Sequence, residues 1–388
     1  MSKYKIALVS PYPLDPAKTT GGIQAVVQNL VASLKNDPQL EIHVLTIDYD
    51  RDIPYRPIEN VQVHWLQADK GRNRLLLFAP ERKWIKRKID EIRPELIHVH
   101  GTDIYGFATR KLNYPILLTV HGILSKEAKI IEKNVKLRTR ILNRVKNNFN
   151  HYFENATLKA AKDIIVISPY VEQQIKSRTS ATFYHIDNPV DRKFFELENR
   201  AKSNRFLFVG MIRARKGVLG LVKAISNLVE KYPDIKLHLV GKIFETEYFD
   251  LLRSLIEEKH LENNVIYRGR ISDRELFREF EECQAVVMNS IEESSPMVIE
   301  QAMAAGKAVV ATRVGGIPFL IEHEKSGLLV DYGNEEQMTR ALDFIYSNPD
   351  KAREMGRYGR TIAEARFRQK RIAEKTKDIY LKLIKSKA

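Results

Sequence analysis

The chain has 388 residues, 44% of them hydrophobic and 29% charged, with 64 Lys and Arg against 49 Asp and Glu and a formal net charge of +15. That composition, with 18 Gly and 15 Pro, excludes a disordered or collagen-like chain, and the length predicts two domains of roughly 190 residues each. One cysteine, Cys283, excludes a disulfide framework and a cysteine metal cluster and suits a reducing cytosol. The apolar run 6–9 is too short for a signal-peptide core, and no run approaches the ~18 residues of a membrane helix.

In chain order, residues 5–10 (KIALVS) predict a buried strand. Apolar residues at 23, 26, 27, 30, 31 and 34 predict a helix over 22–34. Strands follow at 41–47 and 61–66, a helix at 84–92 ended by Pro94, and strands at 96–100, 116–121 and 163–168. Residues 187–204 are polar, hold a proline and have no sustained period, and predict a linker. The alternation then resumes: strands at 205–209, 236–240, 265–268, 285–289, 308–312 and 328–330, helices at 218–231, 248–259, 272–282 and 298–305, and a helical tail over 335–347 and 350–384. The pattern predicts two doubly wound α/β domains with parallel sheets, divided as 1–195 and 196–370, with a final helix over 371–388. Ligands of such sheets sit outside the carboxyl ends of the strands, so the expected site is a cleft between the two domains.

Three motifs fall at predicted strand ends. Gly21 and Gly22 precede the first helix, where close backbone approach and free N–H groups favour a phosphate. Residues 208–217 (FVGMIRARKG) join Gly210 to Arg213, Arg215 and Lys216, the cations a departing diphosphate requires. Residues 289–306 carry Glu292 and Glu293, then Pro296, Met297 and Val298 at a helix start, then Glu300 and Gln301. Proline suits the first helical turn, the N–H groups near Met297 and Val298 suit phosphate or ribose, and the carboxylates suit sugar hydroxyls. Asp48-Tyr49-Asp50 matches a metal-binding acidic triplet but has no accompanying ligand cluster and reads as a polar loop. His100 and His121 stand at strand ends.

This ordered set resembles glycosyltransferase family 4, the retaining enzymes of the GT-B fold. The resemblance spans nearly the whole chain: Gly21-Gly22, the HVHG and TVHG runs at 98–101 and 119–122, Asn188-Pro189-Val190-Asp191, the loop at 209–217, Gly241, Gly269, the run 292–306 and residues 314–318 (VGGIP). It implies two Rossmann-like domains facing across a cleft, with the last helix crossing back to the N-terminal domain. It implies an NDP-sugar donor on the C-terminal domain and an acceptor on the N-terminal one. Lys216, with Arg213 or Arg215, would hold the diphosphate, and backbone near Arg270 and Ile271 would meet the base. His121 would lie near the transferred sugar. Two acidic positions eight apart would hold sugar and ribose hydroxyls, as Glu292 with Glu300 or as Glu293 with Gln301. The second register leaves Ile299, Ala302 and Met303 as the buried helix face and is preferred. The chain departs from the family pattern at Met211, Gln301 and Phe319.

The expected activity is therefore retaining transfer of a hexose from an NDP-sugar to a glycan or lipid-linked acceptor in cell-surface polysaccharide or glycolipid synthesis. No cofactor or metal is expected. The positive charge concentrates in 70–93 and 126–162, where Lys129, Lys133, Lys136, Arg140 and Arg144 line one side of a helical pattern. With His100, they are assigned to acceptor or membrane contact, at an anionic surface on the inner face of the plasma membrane of a cytoplasmic protein. Two rival classes stand beside this one. A GT-B epimerase or phosphorylase would use the same cleft. A nucleic-acid-binding protein would need aromatic-basic interleaving, which is absent, so nucleic acid is not an expected partner.

Overall fold

The structure, a computed structural model, describes residues 3–15, 21–49, 56–68, 77–126, 137–202 and 204–386, and of 137–146 the backbone only. The chain divides into two units, Met1–Pro189 with Gln369–Ala388, and Val190–Arg368.

The described residues of the first unit run β1 (Tyr4–Val9), α1 (Gly22–Leu34), β2 (Leu40–Asp48), β3 (Val61–Gln67), α2 (Ala79–Ile92), β4 (Leu96–His100), α3 (Ile104–Thr109), β5 (Ile116–Val120), α4 (Leu137–Ala160), β6 (Asp163–Val166), α5 (Pro169–Ile175) and β7 (Thr182–His185). Their sheet has the order β3-β2-β1-β4-β5-β6-β7, and its pairings are parallel. The second unit runs β8 (Arg205–Val209), α6 (Val218–Ser226), β9 (Lys236–Val240), α7 (Thr246–Glu258), β10 (Val265–Gly269), α8 (Asp273–Glu282), β11 (Ala285–Met288), α9 (Met297–Ala304), β12 (Ala308–Thr312), β13 (Gly327–Val330), α10 (Glu335–Ser347) and α11 (Pro349–Arg366). Its parallel sheet has the order β10-β9-β8-β11-β12-β13. Both are doubly wound, so each has a switch point where the order reverses, between β1 and β4 and between β8 and β11.

Helices cover both faces of such a sheet, so its central strands must be apolar on both sides. β4, β11 and β12 are buried at every position, whereas the edge strand β3 alternates buried and exposed. The helix α12 (Gln369–Lys385) belongs to the first unit. Its Ile372, Ala373, Ile379, Tyr380 and Leu383 join Val27, Leu30, Val31 and Leu34 of α1 in one apolar cluster.

The division falls at 189/190, not at 195/196. Phe194 and Phe195, read as linker, are buried in the second unit, where Phe194 packs edge-on to Phe280. The tail breaks at Phe367-Arg368 because the Phe367 carbonyl accepts a hydrogen bond from the Val190 amide at 2.9 Å. Three short elements of the first unit, α3, α5 and β7, have no counterpart in the sequence-based expectation. Each is too short to show a period.

Candidate functional site

Two loops leave adjacent strands at the switch point of the second unit. One follows β8 and carries residues 210–217. The other follows β11 and carries residues 289–296. Two hydrogen bonds join them: the Ile291 backbone amide donates to the Arg215 carbonyl at 2.9 Å, and the Asn289 side-chain Nδ2 donates to the Gly217 carbonyl at 3.0 Å. Gly217 has φ +62°, and a Cβ there would lie 1.9 Å from the Asn289 carbonyl oxygen. The approach of the loops therefore needs glycine on both counts.

The side chains meet at Glu293. Lys216 Nζ donates to Glu293 Oε1 at 2.5 Å, and Arg215 Nη1 lies 3.8 Å from Oε2. Arg215 Nη1 also donates to the Glu292 carbonyl at 2.7 Å. Glu293 is only 6% exposed. Burial opposes its ionisation, but Lys216 and Arg215 outweigh it and hold the carboxyl below the usual glutamate range. The Glu293 carbonyl accepts from the Gly316 amide at 2.8 Å. A Cβ on Gly315 (φ +53°) would lie 1.9 Å from that carbonyl oxygen. The glycine pair at 315–316 is thus the seat of Glu293.

Arg213 is placed apart from this group. Its Nε lies 3.5 Å from Glu245 Oε1, and its guanidinium covers the Phe244 ring at 4.6 Å. Glu245 Oε2 also accepts from the Ala214 amide at 2.8 Å. The structure separates the three cations of the motif: Arg215 and Lys216 serve Glu293, and Arg213 serves Glu245. Glu245 and Phe244 carry no sequence signal of their own.

The packing of α9 bears on the two registers. Ile299, Ala302 and Met303 are fully buried, as the preferred register requires. Glu300 is fully buried with them, and its Oε1 accepts from Ser295 Oγ at 2.6 Å. Gln301 and Met297 are half-buried, Val298 and Pro296 are buried, and Glu292 is half-buried. Pro296 is the N-cap, and its carbonyl accepts from the Ile299 amide at 2.9 Å, which leaves the Met297 and Val298 amides with no carbonyl a turn earlier to bond. Gly210 directly follows β8, and after β10 Arg270 is exposed and Ile271 half-buried.

In the first unit, α1 begins at Gly22 with Gly21 as N-cap at φ −167°. A Cβ on either glycine would meet nothing within 4 Å. The fold does not demand glycine there. His100 and His121 end neighbouring strands, their rings stacked with centroids 5.2 Å apart, and Nδ1 of His100 lies 2.9 Å from Nε2 of His121. On the other side, His98 packs at 4.2 Å from His100, hydrogen-bonded to Tyr380 Oη at 2.6 Å and to Thr119 Oγ1 at 2.7 Å. Burial lowers all three imidazoles, His98 to about 3 and His121 to about 4, so they are neutral at physiological pH. Sequence reasoning missed His98 and Tyr380. The strand period of two, which sets His98 and His100 on one face, is the signal that could have found the first.

Residues 189–362 match the family Glycosyl transferases group 1, and residues 20–194 match Glycosyltransferase Family 4. The chain is a group 1 glycosyltransferase of the GT-B fold. It is 27% identical to an uncharacterised glycosyltransferase of Methanocaldococcus jannaschii, over 89% of this chain and 90% of that protein. It is 27% identical to the D-inositol 3-phosphate glycosyltransferase of Paenarthrobacter aurescens, over 96% and 95%. Among solved structures, sucrose-phosphate synthase of Thermosynechococcus elongatus matches with a TM-score of 0.83 and 23% identity, over 99% and 100% of the two chains. HepE of Anabaena, in complex with UDP-glucose, matches at 0.72 and 20%, over 97% and 99%.

The glycosyltransferase's remaining candidates fall elsewhere. His100, assigned to acceptor or membrane contact, is 1% exposed and offers no surface. Lys129, Lys133 and Lys136 lie outside the described residues, as does Asp50, and Arg140 and Arg144 lie on α4 where the backbone alone is described. Among the described residues no helix is long and apolar enough to cross a membrane, and no group of three or more His, Cys, Asp or Glu is placed to hold a metal ion.

Proposed function

We propose that this glycosyltransferase moves a hexose from a nucleotide-sugar donor to a glycan or lipid-linked acceptor, with retention and without a metal, in cell-surface polysaccharide or glycolipid synthesis. One observation carries the reading: two cations, Arg215 and Lys216, converge on one buried carboxylate, Glu293, at the switch point of the second unit. Cations there stabilise a departing diphosphate, and a carboxylate beside them accepts hydrogen bonds from sugar hydroxyls. The Met297 and Val298 amides at the start of α9 add donors for phosphate or ribose. Gln301 accepts or donates to the ribose without a charge. The UDP-glucose bound by HepE supports the donor class.

In the reaction, the bond from the anomeric carbon to the diphosphate oxygen breaks, and a bond from that carbon to an acceptor hydroxyl oxygen forms on the same face. The hydroxyl proton passes to the departing diphosphate. Lys216 and Arg215 offset the charge that grows on that leaving group. His121 contributes a contact to the bound substrate from the first unit, which takes the acceptor.

The test is a thermal-shift and hydrolysis screen against UDP-, GDP-, ADP- and dTDP-sugars. One of them raises the melting temperature of the native chain and is cleaved slowly to free sugar of retained configuration. No shift and no cleavage with any of them overturns the reading. We further propose peripheral association with an anionic membrane through the basic stretches 70–93 and 126–162. Equal flotation with neutral and anionic vesicles overturns that part.

A further inference from the structure

The His100–His121 pair holds one hydrogen between two neutral rings, and its direction is decided by what surrounds His100. His100 Nδ1 and His121 Nε2 are 2.9 Å apart, so one of them carries the proton and the other accepts it. His100 is 1% exposed, and its Nε2 has no hydrogen-bond partner among the described residues. Its neighbour His98 cannot supply one, because Tyr380 takes one of its ring nitrogens and Thr119 the other. If His121 donated, the single N–H of the neutral His100 ring would sit on that partnerless nitrogen. A buried N–H with no acceptor is among the rarest features of folded proteins and carries the full desolvation cost of the donor. The alternative places the His100 proton on Nδ1, where it is hydrogen-bonded, and leaves a bare lone pair inside. His121 then accepts at Nε2 and carries its own proton on Nδ1. That Nδ1 makes no hydrogen bond among the described residues, and the residue is half-buried, so the nitrogen has access to solvent.

We infer that His100 is a positioning residue that fixes His121 as the Nδ1–H tautomer, so that His121 presents a hydrogen-bond donor, not a base, to an oxygen of the bound substrate. This rests on the reading in which His121 meets the substrate. It also assigns the family's second strand-end histidine a chemical role opposite to general base catalysis: the neutral ring gives a hydrogen bond and keeps its proton. The lone pair that a base would need points instead at His100.

The experiment is nitrogen NMR of the imidazole rings in the full chain labelled at histidine, with resonances assigned from single-histidine variants. His121 is expected with a protonated Nδ1 and an unprotonated Nε2 in the wild-type protein. A wild-type His121 protonated at Nε2 overturns the inference, and that measurement needs no variant to fold. His100→Leu removes the donor, and His100→Gln restores one through its amide. The leucine variant is expected to lose the tautomer preference and about tenfold in transfer, and the glutamine variant to recover most of both. An unchanged His121 tautomer in the leucine variant overturns the inference. The functional reading fails separately: it falls if His121→Ala transfers sugar at the wild-type rate, whatever the tautomer.

Discussion

Lys216 and Glu293, 77 residues apart in sequence, form a 2.5 Å ion pair between the loops that leave β8 and β11. The pair joins the two most specific motifs of the chain at the point where the sheet order reverses, and a diphosphate is the anion that can compete with Glu293 for the same ammonium.

Lys216→Ala is expected to lose about 10²–10³-fold in turnover, the cost of removing one preorganised donor from a leaving-group site. Arg215 remains beside Glu293, so the variant keeps a cooperative thermal transition. Steady-state transfer with the donor identified by the screen checks this, and near-wild-type turnover would sink the assignment.

Glu293 gives a pH dependence whose sign follows from its lowered pKa. The folded-state value lies below the ordinary 4.5, so its contribution to stability is fully present above that value and is lost as the pH falls through the folded-state one. Urea denaturation of the wild type and of Glu293→Gln is expected to show a stability gap that is constant from pH 7 down to about 5 and narrows below that. A gap that widens with acid contradicts the ion-pair geometry.

The glycines separate into two kinds. Gly315→Ala forces a side chain to φ +53° and to within 1.9 Å of the Glu293 carbonyl oxygen, and is expected to cost about 2 kcal/mol or more with loss of transfer. Gly21→Ala meets nothing and sits in extended backbone, and is expected to change stability by less than about 0.5 kcal/mol. A weaker substrate affinity in that stable variant would mark the start of α1 as a ligand contact. Melting curves and KM for both variants decide it.

Tyr380→Phe removes the partner of a buried imidazole nitrogen on His98 and is expected to destabilise the first unit by about 1–3 kcal/mol. Hydrogen exchange should show the loss in β1, β4 and α1, with the second unit unaffected. Uniform loss through both units would contradict the assignment of α12 to the first.

Much of the fold was legible because its signals are local. The helix over 22–34, the strands at 96–100, 205–209, 236–240 and 308–312, and the helix over 335–347 all fall where hydrophobic period and punctuation place them. The resemblance to a retaining family rests on the same strand-end motifs. Less was legible where the information is non-local. Phe194 and Phe195 lie in a polar stretch and read as linker, yet a second-unit pocket buries them. Residues 350–384 form one helical pattern, and only the pairing of Val190 with Phe367 and Arg368 breaks it.

The sequence by itself determined the class of the protein: two doubly wound α/β units, a basic loop and an acidic loop at strand ends, and a glycosyltransferase. Only the tertiary structure decided how the charges are shared. Arg213, Arg215 and Lys216 fall within four residues and look equivalent in a row of letters. Folding turns Arg213 toward Glu245 and sets the other two on Glu293, because charges pair with whatever the neighbouring loops bring within about 4 Å. The net charge of +15 became specific in the same way. Two of its cations are engaged at one buried carboxylate, a placement that depends on the meeting of β8 and β11 and on no feature of either segment alone.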